Sequence, residues 1–395
     1  MGNITSATSG NSNVGATWTG GSVPTSADNA IIQDTHTVTQ NAAHTFKSLR
    51  VETGGTWTAD GSNHLTLSGE NDSDFALQIV DGTYNHANGT VVINNGGGGI
   101  AHAAIQAGVG NSTTGLYDLT ISGGGTICEI YGDTTIHRNM EAGGSTTVLR
   151  GSLTVTGNLT IEGTLNTRYG STDKNLTVAG TTQVTGTLTC NSSAISLGTG
   201  LTSGWGLDIQ SGGTFNGGSA THTIGSIFAA GGGTRTITLS SGATTIDSKN
   251  TGNGYSINLA SGATFNHGSG TVTMTYAGNT LIQLSGGTLA FNTFTYNASG
   301  RTLELRSPMS CAGNLTLTAG TLDTKSGTNH ALTVTGKAYI GPNDGTSDTA
   351  TLTCNASDIS IGSGYTADYS LMVVGGGTFV GGSGTHTLGS IYQAN

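Results

Sequence analysis

Charge is the scarcest resource in this 395-residue chain. Asp, Glu, Lys and Arg together make up 9% of it, where about 25% is usual. So little like-charge repulsion does not hold a chain unfolded. Lys and Arg number 12 and the net charge is −10. No basic run exists to neutralise successive phosphates, so nucleic acid is not an expected partner, nor is an anionic membrane surface. No stretch approaches the ~18 consecutive apolar residues of a membrane-spanning helix, so no membrane insertion is expected. The opening Met1-Gly2-Asn3-Ile4-Thr5-Ser6 has neither the charged nor the apolar region of a signal peptide. Proline occurs 3 times, and Gly plus Pro reach only about 18%, below the ~25–30% of aperiodic disordered chains. Cys128, Cys190, Cys311 and Cys354 form no C-x-x-C pair. They are expected to be small buried hydrophobes rather than disulfide or metal ligands.

What is plentiful is Gly, 67 residues, with Thr, Ser and Asn among Val, Ile and Leu. These residues favour strands and turns over helices. Ser152-Leu153-Thr154-Val155-Thr156 and Arg235-Thr236-Ile237-Thr238-Leu239 alternate with period two and are bounded by Gly, Asn or Ser. The segment nearest to a helical period is Ile100–Ala107, which Gly-rich flanks keep short.

The chain repeats itself at two scales. Gly157-Asn158-Leu159-Thr160-Ile161 returns as Gly313-Asn314-Leu315-Thr316-Leu317, Leu188-Thr189-Cys190-Asn191 as Leu352-Thr353-Cys354-Asn355, and Thr221-His222-Thr223 as Thr385-His386-Thr387. The offset grows from 156 to 164, mainly across Gly341–Asp348, as a surface-loop insertion between matched strands would make it grow. A shorter phrase occurs four times, with an aromatic at Tyr84, Phe215, Phe265 or Phe379 and a Thr six residues later. Small turn residues lie between, which reads as strand, tight turn, strand. His86 and His267 recur at one place in this phrase, and His222 and His386 at another. Such recurrence points to a turn or an outer-face role for the imidazoles.

A short strand with one apolar face cannot bury that face alone. Stacking near-identical coils solves the problem for every strand at once. Three short strands and three turns need roughly 20–25 residues per coil. Gly supplies corners with positive φ, Asn tolerates the left-handed region and stacks on the Asn of the next coil, and Thr suits the outer face. The expected fold is therefore all-β, a right-handed parallel β-helix (β-solenoid) with an N-terminal cap. Tandem β-sandwiches are the alternative. The expected division is a cap over 1–35 containing Trp18 and Pro24, a first solenoid part over 36–156, repeat A over 157–312, and repeat B over 313–395. Ile391–Asn395 falls inside a repeat phrase, so a partner or further chain is expected to cover it.

The phrases Trp18…Pro24…Asp28-Asn29-Ala30-Ile31, Gly-Asn-Leu-Thr-(Ile/Leu) at 157 and 313, and the Thr-(Phe/Tyr)-Asn-His phrases at 83 and 264 carry a resemblance across roughly residues 15–392. They resemble the Gly/Thr/Asn-rich β-helical repeats of phage tail fibres and tailspikes and of large bacterial surface adhesins. That resemblance implies an extracellular or virion-borne attachment protein. Tailspikes are commonly trimers, and some cut polysaccharide. No catalytic motif here matches a family pattern, so no residue is carried across.

Catalysis of glycan cleavage needs two carboxylates about 5–10 Å apart, and the acids here are scattered. The densest group, Glu70-Asn71-Asp72-Ser73-Asp74, reads as a solvated loop in which Asp72 and Asp74 are weak candidates for structural Ca²⁺. Asp344 and Asp348 are weaker ones, because they lack the order of an EF-hand. Otherwise no metal, cofactor or catalytic residue is expected. Trp57, Trp205, Tyr117, Tyr131 and Tyr169 either pack in the core and turns or, if exposed in a row, stack on sugar rings. The expected function is a non-enzymatic attachment part of a phage virion fibre or spike, preferred because no signal peptide opens the chain. The alternatives are a bacterial adhesin or self-assembling extracellular filament, and a polysaccharide-degrading tailspike. Expected partners are further copies of the chain, three in a virion fibre or stacked end to end, and a host-surface glycan or protein receptor. The expected location is the virion or the cell surface.

Overall fold

The structure is a computed structural model and describes residues 2–70, 75–94, 102–106, 115–123, 127–144, 146–342 and 348–394. It contains two compact units, residues 1–193 and 194–395. The division falls inside the 157–312 repeat. Each unit is a parallel β-solenoid, and together they hold about 16 turns.

In the first unit one strip of sheet runs from Asn3–Thr5 through Asn29–Ile32, Ser48–Val51, Phe75–Ile79, His102–Gln106, Ile127–Tyr131, Thr146–Leu149 and Thr164–Asn166 to Thr187–Thr189, each strand parallel to the next. Residues that meet on it lie 18 to 29 positions apart in the chain, as Thr147 and Leu165 or Phe75 and Ala104 do. His102–Gln106 lies within the segment nearest to a helical period. A parallel partner on each side takes up its backbone groups, so the segment is a strand. A second strip carries His44–Phe46, Leu65–Leu67, Thr90–Asn94, Asp118–Ser122, Met140–Ala142, Leu159–Ile161 and Thr182–Val184.

The reason for the stacking is visible rung by rung. Leu153-Thr154-Val155 lies in register on Leu176-Thr177-Val178. Both Leu and both Val are fully buried, while the Thr between them faces outward. Each such inward aliphatic side chain contributes roughly 1.5–3 kcal/mol of burial. Trp18, held by two 3₁₀ turns at Gly15–Thr17 and Thr19–Gly21, lies edge-on to Phe46 at 6.2 Å and donates its Nε1–H to the Ser12 carbonyl at 2.8 Å. Its ring is fully buried.

The second unit repeats the plan. Ile195, His222, Thr244, Val272, Phe294, Leu315, Ala338, Leu371 and Ile391 follow one another in register. The positions one residue further on begin Ser196, Thr223, Thr245, Thr273, Thr295 and Thr316, an outward ladder of hydroxyls. At the last rung Ile391 is 59% exposed.

The duplication is also spatial. Thr167 Oγ1 donates to the Cys190 carbonyl at 2.7 Å, and Thr324 Oγ1 to that of Cys354 at 2.8 Å. Asn191 and Asn355 both sit at φ 52°, making the left-handed corner. A Cβ on Gly382 (φ 81°) would collide with the Asn355 carbonyl, so only Gly fits that corner. Each copy also extrudes a small antiparallel hairpin, Arg168–Tyr169 with Thr172–Asp173 and Lys325–Ser326 with Thr328–Asn329. Period-two reading of the strands had no means of finding these.

Candidate functional site

The repeat-equivalent residues fall into place in three ways. Asn158 and Asn314 lie at turns, where each Oδ1 accepts a backbone N–H from the next rung, Thr181 at 2.9 Å and Lys337 at 3.0 Å. Asn139 Oδ1 does the same for Asn158 itself, at 3.0 Å. The expected Asn ladder is therefore a side-chain-to-backbone relay rather than a stack of amides alone. Tyr84 and Phe215 are buried, and Phe265 and Phe379 half-buried, each on the strand before a tight turn. Cys128, Cys190, Cys311 and Cys354 are free and buried, and burial pushes the thiols of Cys128, Cys311 and Cys354 up to about 12.

The histidines divide. His86 and His267 do sit in turns, where each Nδ1 accepts an N–H two residues on, from Asn88 at 3.2 Å and Ser269 at 2.9 Å. His222 and His386 correct the turn or outer-face expectation. His222 is fully buried in the inward column, with its ring edge-on to Phe215 at 6.2 Å. His386 occupies the same kind of position beside Phe379 at 6.0 Å. A period-two strand flips every side chain on a one-residue slip, and these two begin their strands on the inner side.

Asp72, Asp74 and Asp344 lie outside the described residues. Asp348 accepts a hydrogen bond from Ser299 Oγ at 2.7 Å. Among the described residues no three His, Cys, Asp or Glu converge as metal ligands. Trp57 is in the core, and Trp205 is 8% exposed and stacked on Phe228 at 4.6 Å.

The other aromatic candidates gather on the outside of the first unit. Tyr131 ends one strand, Arg150 follows one rung on, and Tyr169 opens the first hairpin. The Arg150 guanidinium lies between the two phenol rings, 4.5 Å from the centre of Tyr131 and 3.2 Å from that of Tyr169. Phe75 meets Tyr131 edge-on at 5.2 Å from the opposite side. Glu129 grips Arg150 with both oxygens, Nε to Oε2 at 2.7 Å and Nη2 to Oε1 at 2.9 Å. The Glu129 side chain is only 5% exposed although it points outward. Partial burial and a hydrogen bond to Glu129 push the Tyr131 phenol above its ordinary value. Arg168 forms a second bidentate pair with Asp173, at 2.8 and 3.0 Å, and reaches Ser192 Oγ at 3.1 Å. The hydrogen bond from Arg168 holds the Asp173 carboxyl below the usual carboxylate range. Tyr169 stays 43% exposed beside this pair.

Two further clusters lie on the same unit. His86 packs on Tyr117 and His137 at 5.5 and 5.0 Å, and Arg138 covers Tyr117 at 4.9 Å while pairing with Asp118. Glu141 and Glu162 stand on adjacent rungs. One oxygen of each lies 3.6 Å from where a Cβ on Gly143 would stand, so the two are within about 7 Å of each other. The 20 intervening residues hide this carboxylate pair in the sequence. The same holds for Glu129 and Arg150, which no motif marks. Their only signal is that they are charged residues in an outward strand position of a chain nearly without charge.

Compared with protein-family models, with curated proteins and with solved structures, the chain matches none. The class it belongs to is defined by its fold alone, a Thr/Gly/Asn-rich parallel β-solenoid.

Proposed function

We propose that the chain is a non-enzymatic attachment component of a phage fibre or spike that contacts the host surface. One observation supports this above the others. An outward stack of two phenol rings around a guanidinium is fixed on successive rungs of a main-chain-paired scaffold. Rings held this way lose little freedom when a partner packs on them, so more of the contact energy is retained as affinity. The resemblance of the repeat phrases to fibres and adhesins points the same way. Mass spectrometry of purified particle fractions tests it. The chain is expected among the virion proteins, and its absence from every particle fraction overturns the fibre assignment. Recovery with cell envelopes instead would favour the adhesin alternative.

A second reading, polysaccharide cleavage, is supported by Glu141 and Glu162, a pair of carboxylates within about 7 Å of one another, the kind of pair that glycosidases use. Incubation with capsular polysaccharide and an assay for new reducing ends tests it. This reading requires product from the native chain and none from Glu141→Gln.

A further inference from the structure

Tyr169 terminates the outward stack. Arg150 covers one face of its ring at 3.2 Å, and with 43% of the residue exposed the opposite face and edge are open. Beside the ring lie groups whose hydrogen-bonding edges are already oriented. Arg168 and Asp173 hold one another in a planar bidentate pair, and Ser192 joins them from the next rung through its Oγ to Arg168 and its N–H to Asp173 Oδ1 at 3.1 Å. An open aromatic face next to a planar set of donors and acceptors matches one kind of ligand well. A pyranose ring has an apolar C–H face to lay on the phenol and vicinal hydroxyls that both donate and accept.

Charge narrows the class. Glu129 neutralises Arg150 and Asp173 neutralises Arg168, so neither guanidinium of the platform is a surplus cation. The whole chain carries −10. A polyanion would gain nothing from the matched pairs and would be repelled by the rest. Resting on the attachment reading, we propose that Tyr169, flanked by Arg168, Asp173 and Ser192, is a saccharide subsite for a neutral polysaccharide. Arg150 and Glu129 act here as positioning residues. They brace the ring from behind and do not themselves touch the sugar.

Affinity electrophoresis of the full chain tests this. The gels contain β-glucan, galactomannan or dextran as neutral polymers, and alginate or hyaluronan as anionic ones. The native chain is expected to be retarded by at least one neutral polymer and by neither anionic one. Tyr169→Ala is expected to weaken that retardation at least about tenfold, roughly 1.4 kcal/mol, and Tyr169→Phe to keep most of it. Unchanged thermal unfolding of both variants shows that the fold is intact. Glu129→Gln, which loosens the brace, is expected to weaken binding less than Tyr169→Ala does. No retardation by any neutral polymer, equal retardation by alginate, or full binding by Tyr169→Ala overturns the proposal. Decoration of cells by labelled protein separates this result from the attachment reading. If cells are decorated equally by the native chain and by Tyr169→Ala, attachment stands and the subsite falls. If the polymer retards the chain but no cell is decorated, the subsite stands and attachment falls. Decoration that survives periodate but not protease identifies a protein receptor and overturns the saccharide assignment.

Discussion

Replacing Glu129 with Ala should unsettle the outer face of the first unit. The substitution removes the charge-assisted hydrogen bond from Arg150 Nη2 at 2.9 Å, worth about 1.5–3 kcal/mol, and the ion contact of Nε at 2.7 Å. It leaves a guanidinium between two phenol rings with no carboxylate. Breaking a fully buried pair costs about 3–5 kcal/mol. The Arg150 side chain is 23% exposed, so water recovers part of the loss and we expect about 2–3 kcal/mol. Arg150→Ala strands the more deeply buried partner and should cost about 3–4 kcal/mol by the same reasoning. The double variant removes both charges together, so its cost should fall short of the sum by about 2 kcal/mol. Arg150→Lys keeps the charge but loses the planar fork and the stacking on both rings, and should fall between the native chain and Arg150→Ala. Urea unfolding of the full chain in a Trp205→Phe background follows this unit alone, because the remaining Trp18 and Trp57 both lie in its core. Additivity of the two single changes to within about 0.5 kcal/mol would refute the coupling inferred from the geometry. So would a Glu129→Ala transition at the native midpoint.

Other outcomes follow from the same rungs. Leu165 is fully buried between Thr147 and Leu188, so Leu165→Ala should cost about 2–5 kcal/mol in that unfolding assay. Burial holds the four cysteines as thiols. Ellman's reagent at pH 8 should find none in the folded chain and all four in urea, and a fast-reacting thiol in the folded chain would contradict the buried placement. His44 is 9% exposed, bonded to Ser12 Oγ at 2.7 Å and stacked on Phe46 at 5.0 Å. Burial lowers its pKa below the ordinary 6.5. The unfolded chain therefore takes up a proton first, and stability present above about pH 6.5 is lost as pH falls towards the folded value. The thermal midpoint should drop between pH 7.5 and 5, and His44→Gln should flatten that dependence.

Much of this architecture is readable residue by residue. Leu153-Thr154-Val155 announces a strand with its inner and outer sides, because period-two alternation is the period of the pleat itself. Asn158 and Asn314 announce turns, and the Leu-Thr-Cys-Asn phrases announce a buried Cys followed by a left-handed corner. A composition rich in Gly, Thr, Ser and Asn already points away from helices. The inward turn of His222 was not readable, since an imidazole suits either side and one residue of register decides between them.

Local alternation and corner residues are short-range properties, and a chain segment carries them wherever it lies. The identity of the neighbours one rung away is different. Coils here take anywhere from 18 to 33 residues, so no fixed period indicates that Tyr131, Arg150 and Tyr169 lie face to face or that Glu141 approaches Glu162. Those meetings depend on how each loop closes, and only the folded stack of main-chain ladders brings them about.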